Sequence, residues 1–494
     1  MPNNEFGDFQ TPLPLARAVL ATLPRRDYRR VLEPTCGTGT FLRAAAELGV
    51  PQRFGVEIQA GHAELAREHG QVWQQCVFDL HLGRDLPWSA GGELLVLGNP
   101  PWVTMADLTR FGSTNVPVKS NVRGLPGIAA RTGESNFDVA EYIWQKLLAE
   151  LAEHRPTIAL LCKTQVARNL LRHCAEHAVP VAEATLRLID SHRWFGANVD
   201  AGLLTLRLGE PAGEPECALY GDLDAEVPLR RFGLVDGRLV ADVELYARTA
   251  KADGTCPVEW RQGIKHDATA VMELLPGPRT KAGKRVRVED GHLHPLLKSS
   301  DLFHGHTATA RHLLVVPQRH LGDNTAELAR TAPKLWRYLL ANAAALDGRR
   351  SAIYRGRPRF CVFGVGDYAF APYKVAVSGM YKKAEFRLVG PIDGRPAVLD
   401  DTCYFLSFTD LPEAAVVTAL LRGPTAEALL SALVFWDAKR PITKKLLQRI
   451  DLAHLLATAD HAELAATAAA LGEVPVGDTQ RAVGALTARW AGLT

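Results

Sequence analysis

The chain has little cysteine: eight residues in 494, no two of them at Cys-x-x-Cys spacing and none joined to a His-x-x-x-His pair. That spacing suggests neither a zinc ribbon nor a disulfide framework, and reduced thiols in a cytoplasm fit best. No metal site is expected. Long apolar runs are missing too, so no stretch reads as a bilayer span, and Met1 to Thr11 carries Glu5 and Asp8 where a leader would carry basic residues. The expectation is a cytoplasmic protein without a membrane partner. No repeat of fixed period is found.

What is present is ample apolar material, 47% against 22% charged, in a length that implies two or three domains. A net charge of +3 conceals a segregation: residues 251–390 hold 23 Lys+Arg against 12 Asp+Glu, or +11, which leaves −8 for the rest. A basic segment beside an acidic remainder suits a polyanion-binding domain joined to a catalytic one, because phosphates are bound chiefly by Lys and Arg. An ordinary solvated basic face has the same composition.

From Arg30 to Leu208, apolar strand-like runs (31–33, 54–58, 77–80, 94–97, 157–161, 184–189, 203–208) alternate with helical patterns (12–23, 41–48, 60–69, 137–154, 165–177). Such alternation predicts a mostly parallel sheet with flanking helices. Around 210–255 the pattern turns to Gly, Pro and acidic residues, so the boundary is placed there, with domains at 1–245 and 246–494. The second half offers short mixed segments and then Ala- and Leu-rich helical stretches from Pro412.

Chemistry concentrates at the predicted strand ends. The first run leads through Glu33-Pro34-Thr35-Cys36-Gly37-Thr38-Gly39 into a helix, and glycines there let backbone approach a ligand. The full Gly-x-Gly-x-x-Gly spacing is absent, so a purely structural turn reads the same way. Glu57, before Ile58 at the next strand end, can accept from both hydroxyls of an unphosphorylated ribose. Asp79, before Leu80, can accept from an adenine amino group, with Phe78 flanking the ring. Next comes Asn99-Pro100-Pro101-Trp102. The Asn99 side-chain oxygen and the Pro100 carbonyl can accept from a planar exocyclic amine, prolines fix the direction of that carbonyl, and Trp102 offers a face to a flipped base. Core packing is the plainer role for Trp102.

Taken in order, these residues resemble the N6-adenine DNA methyltransferases of bacterial restriction-modification systems. The resemblance implies a Rossmann-like α/β catalytic domain with a mostly parallel seven-stranded sheet, and a C-terminal α+β target recognition domain. It implies S-adenosylmethionine as cofactor, held by Thr11, Pro12, Glu33, Pro34, Cys36, Gly37, Gly39, Glu57, Ile58, Asp79 and Leu80. Asn99, Pro100, Pro101 and Trp102 become catalytic, with Trp102 and Phe195, from His192-Arg193-Trp194-Phe195, stacking on the target base. Gly7-Asp8-Phe9-Gln10-Thr11-Pro12 resembles the family's N-terminal motif, and its position ahead of the glycine turn resembles the gamma arrangement, in which recognition comes last. Trp102 departs from the Tyr or Phe usual at its position, which keeps cytosine N4 open as a target. Arg350, Arg355, Arg357, Arg359, Lys374 and Lys382, interleaved with aromatics, are the expected DNA contacts.

The expected activity is site-specific methylation of adenine N6 in double-stranded DNA, for restriction-modification or phage defence. No acidic and lysine nuclease cluster is found, so a restriction endonuclease would be separately encoded. Methylation of RNA or of a protein glutamine, and an inactive DNA-binding scaffold, are the rival readings.

Overall fold

The computed structural model describes residues 9–24, 26–88, 91–103, 138–210 and 213–492. Gly7 and Asp8 of the N-terminal motif lie outside them. The chain divides into two compact units, Met1–Glu244 and Leu245–Thr494.

The first unit is built on a sheet of β1 (Tyr28–Glu33), β2 (Gln52–Glu57), β3 (Gln71–Gln74), β4 (Glu93–Gly98), β5 (Thr157–Lys163), β6 (Val181–Ile189), β7 (Ala201–Leu208), β8 (Glu216–Tyr220), β9 (Arg230–Val235) and β10 (Arg238–Val240). Their order across the sheet is β10-β9-β8-β6-β7-β5-β4-β1-β2-β3. Pairings among β5, β4, β1, β2 and β3 are parallel, and β7 runs antiparallel between β5 and β6. The middle strands read as unbroken apolar runs because both their faces are covered, and β5 is buried from Thr157 to Cys162. Described helices are α1 (Leu13–Thr22), α2 (Thr40–Glu47), α3 (Ala60–Ala66), α4 (Val139–Glu150), α5 (Thr164–Glu176) and α6 (Ser191–Phe195). Leu15, Val19, Phe41, Leu42, Leu95, Leu97, Leu161 and Leu203 share one core cluster, which joins α1 and α2 to the strands.

Two expectations need correction. The third strand is Gln71–Gln74, not Val77 to Leu80, and Val77–Asp79 is a 3-10 turn. As an edge strand β3 needs little apolar content, whereas the apolar run after it buries Val77 and Leu80 from a turn. The sheet also has ten strands among the described residues rather than seven, since β8 pairs in parallel with β6 and carries the β9–β10 hairpin. That hairpin turns on Asp236-Gly237, both at positive φ (50° and 71°), the Asp-Gly signal of a two-residue loop.

The strand order reverses at β1, which lies between β2 and β4. Ligands of open α/β sheets gather outside the strand ends at such a point. Parallel register brings Glu33 opposite Gly55 and Leu32 opposite Val96, so the tips of β1, β2 and β4 open on one edge.

The second unit is α+β. One four-stranded sheet takes Arg261–Gln262, Cys403–Phe408, Tyr373–Ser378 and Arg387–Val389 in that order, and another takes Glu273–Leu274, His312–Val315, Leu293–Leu297 and Val398–Leu399. Six helices from Leu411 to Trp490 complete it, the first buried throughout from Ala414 to Leu421. Among the described residues no single helix is long and apolar enough to cross a membrane.

Candidate functional site

Between β1 and α2 the backbone passes through Gly37 (φ +51°) and Gly39 (φ +80°), a region that side chains rarely adopt. A Cβ at Gly37 would stand 2.7 Å from Gln10 Oε1, and one at Gly39 would stand 2.9 Å from Ala66 Cα. Both positions therefore demand glycine. The turn is held by the Cys36 N–H on Val56 O (2.9 Å) and by Gln10 Oε1, which accepts from the Thr38 N–H and hydroxyl at 3.1 Å each.

Glu57, at the tip of β2, is 7% exposed and accepts from the Gly37 N–H at Oε2 and the Gln59 N–H at Oε1, each at 2.8 Å. Two backbone donors fix its plane, and each oxygen keeps an acceptor position for a further partner. Glu33 lies deeper. Burial pushes its carboxyl well above the usual range, opposed by the Leu42 N–H (3.2 Å to Oε2) and reinforced by nearby Glu57. Its work is to fix the start of α2.

These strand tips open on a cleft of about 790 Å³, its open mouth included. Of the residues expected at the site, Pro34, Gly37, Glu57, Ile58, Asn99 and Pro101 line it. Thr11, Pro12, Glu33, Cys36, Gly39, Leu80 and Pro100 are not in its lining. Asp79 is not either: it is exposed, and Gln75, Val77 and Phe78 take the wall instead, a consequence of the 3-10 turn. Val139 and Ile143 of α4 close the far side and carry no sequence signal beyond helix periodicity.

Asn99 follows β4 directly. Its Nδ2 donates to Phe9 O at 3.1 Å, while its Oδ1 is buried and finds no partner among the described residues. A buried amide oxygen left unmatched costs about 1–3 kcal/mol, so this atom is suited to accept from a ligand N–H. Trp102 is 7% exposed and belongs to the core, packed edge-on against Phe195 (centroids 5.2 Å) and near Phe9 (6.0 Å). The rings expected to receive a base thus pack edge to face with one another, because three aromatics adjoining an apolar core bury more area together than apart.

Sequence reasoning overlooked Lys163, at the tip of β5. Its Nζ donates to Trp102 O (2.8 Å) and to Asp138 Oδ2 (2.7 Å), and Asp138 Oδ1 in turn caps α4 through the Ala140 N–H (3.1 Å). A cation ending the apolar run Leu160-Leu161-Cys162 was the available signal.

In the second unit Arg350, Arg355, Arg357 and Lys382 are exposed, and Arg359 is exposed but paired with Asp347. Lys374 is removed from the DNA-contact set: it is fully buried, its Nζ donates to Ala371 O (2.6 Å), and burial pulls its ammonium down to about 7. Both Lys374 and Val375 are covered in this central strand.

No family model matches the chain. It is 36% identical over 464 residues to the Type II methyltransferase M.NspV of Nostoc sp. (strain ATCC 29411 / PCC 7524), covering 91% of this chain and 96% of that one. A second relative, the Type II methyltransferase M.CvrRI of Paramecium bursaria Chlorella virus XZ-6E, is 32% identical over 121 residues, 24% of this chain and 30% of its own. Among solved structures, the Type IIL restriction-modification enzyme MmeI, determined in complex with DNA, superposes with a TM-score of 0.54 at 12% identity. That match covers 98% of this chain and 72% of MmeI and bears on the fold. The cleft fits the cofactor S-adenosylmethionine: a fixed carboxylate for its ribose, glycine backbone for close approach and apolar walls at Ile58, Val77 and Phe78. Identity of this extent over nearly the whole of both chains places the protein in a family, and the chain belongs to the Type II methyltransferases, S-adenosylmethionine-dependent enzymes of restriction-modification.

Proposed function

We propose that the protein methylates the exocyclic N6 amine of adenine at a specific site in double-stranded DNA, as the modification partner of a separately encoded restriction endonuclease or in phage defence. The observation that carries this reading is the buried Oδ1 of Asn99, unmatched among the described residues, on the wall of the cleft. It is an acceptor awaiting an N–H donor, and a planar amine supplies one. The duplex is supported by the basic segment 251–390 and by the DNA complex in which MmeI was determined.

Glu57 would hold the ribose hydroxyls of S-adenosylmethionine, with Ile58 and Phe78 against its adenine. Bound there, the cofactor supplies a methyl group already activated on a sulfonium. Everything else is positioning by the chain. Asn99 Oδ1 and the Pro100 carbonyl accept the two amine hydrogens, and the nitrogen moves towards tetrahedral geometry with its lone pair directed at the methyl group. That nitrogen would take the methyl group from the bound cofactor, and the amine's surplus proton would pass to solvent. A base reaches this point only by leaving the duplex, so Phe9, Trp102 and Phe195 have to part for either expected ring to stack on it.

The test incubates the protein with methyl-labelled S-adenosylmethionine and unmethylated genomic DNA, RNA or total protein, followed by digestion and mass spectrometry. Label in N6-methyladenine of DNA is the expected result. Label in N4-methylcytosine changes the base, label in RNA or glutamine changes the substrate, and no label anywhere favours a scaffold. Asn99→Ala is expected to lose turnover by at least about 10²-fold, the scale of one missing transition-state hydrogen bond, while still binding cofactor. Undiminished turnover refutes the role of Asn99.

A further inference from the structure

Residues Leu275–Val288 read Leu-Pro-Gly-Pro-Arg-Thr-Lys-Ala-Gly-Lys-Arg-Val-Arg-Val, with five cations and no acid. They fold as a turn-rich hairpin. Leu275 and Arg279 exchange backbone hydrogen bonds (2.7 and 3.2 Å), Thr280 N–H donates to Lys284 O (2.9 Å), and Val286 N–H donates to Pro278 O (2.8 Å). Its tip reverses at Gly283, φ +80°. Val286 and Val288 anchor it in the core of the second unit, and strand alternation then turns Arg285 and Arg287 outward together.

Arg279, Lys281, Lys284, Arg285 and Arg287 are all exposed, and none forms an ion pair among the described residues. Several surface cations elsewhere on this unit sit against acids, as Arg261 with Glu259, Arg359 with Asp347 and Lys383 with Glu385, whereas Arg350, Arg355 and Arg357 share the hairpin's lack of an acidic partner among the described residues. The two carboxylates flanking the hairpin are engaged elsewhere: Glu273 by His266 and Lys298, and Glu289 by the Lys334 and Leu335 N–H groups at 2.8 and 2.9 Å. Five like charges thus share one short, anchored projection with no internal counterion, an arrangement complementary to a polyanion.

We propose that this hairpin is a DNA-binding element whose cations meet backbone phosphates, contributing affinity and register rather than base choice. This rests on the reading of duplex DNA as substrate. The experiment measures binding of the full-length protein to a fluorescent duplex of unmethylated genomic sequence across a salt series, comparing wild type with Lys281→Gln/Lys284→Gln/Arg285→Gln. Each phosphate that a variant no longer neutralises should reduce the slope of log K against log salt by roughly 0.9, so the triple variant is expected to lose roughly 2–3. S-adenosylmethionine binding should be unchanged, which reports a folded protein. Should that variant fail to bind cofactor, Arg285→Gln/Arg287→Gln is measured in its place, with an expected slope loss of roughly 1–2. Wild-type binding with an unchanged slope in a folded variant overturns the hairpin's role alone. No salt-dependent duplex binding by the wild type overturns the DNA reading and this proposal with it.

Discussion

Glu57 shows what a single side chain can be asked to do. Both its oxygens already face backbone N–H groups, so Glu57→Gln would put an amide N–H against the Gly37 or the Gln59 N–H. The clash of donors disturbs the glycine turn as well as the ribose site, and a cost of about 1–3 kcal/mol predicts cofactor binding weaker by roughly ten- to a hundredfold. Calorimetric titration with S-adenosylmethionine checks this, and unchanged affinity would take Glu57 out of the site. That Gly37, Glu57 and Asn99 gather at one cleft was legible because each sits at a strand tip. Asp79 read equally well and was misplaced, since an apolar run of four residues does not distinguish an edge strand from a buried turn. Lys374 shows the same limit from the other side: a cation among aromatics reads as surface until the fold covers both faces of its strand.

Elements were more legible than the ties between them. Apolar runs that fill the middle of the sheet announced β1, β2, β4, β5 and β7 to within a few residues, because such strands cannot be polar. The extension through β8–β10 was not announced, as its strands are short and amphipathic and its Gly- and Pro-rich approach resembles a linker; only Asp236-Gly237 marked a hairpin. Least legible was a join across elements. Lys163 ties the end of β5 to the Trp102 carbonyl and, through Asp138, to the start of α4, so it is a positioning residue for the segment that carries Asn99. Lys163→Met strips the mostly buried Asp138 carboxylate of this cation and releases the segment. The expected outcome is a kcat lowered by roughly ten- to a hundredfold, equivalent to about 1–3 kcal/mol of lost positioning, with S-adenosylmethionine affinity little changed and partial rescue by Lys163→Arg. Equal losses in kcat and in cofactor affinity would mark Lys163 as merely structural.

At the scale of the whole molecule, charge and stability follow from the division into two units. The cleft at the tips of β1, β2 and β4 lies in the first unit, and the basic segment belongs to the second, whose interior also contains a lysine that charge alone would place outside. Lys374 is covered on every side and has one backbone carbonyl as its hydrogen-bond partner, so burial lowers its ammonium from 10.5 to about 7. Between those values the unfolded chain holds a proton that the folded chain has released. Folding is therefore penalised below pH 7, and the penalty is relieved as pH rises from about 7 towards 10. Lys374→Met keeps the length of the side chain and removes the charge. It is expected to raise the thermal midpoint at pH 7 by about 2–4 °C for each kcal/mol recovered in a unit of this size, and to flatten the gain in stability that wild type shows between pH 7 and 9. Melting both proteins across that range decides the matter: parallel curves would mean that the ammonium reaches water in the folded state, and the second unit would then need a path from Lys374 to its surface.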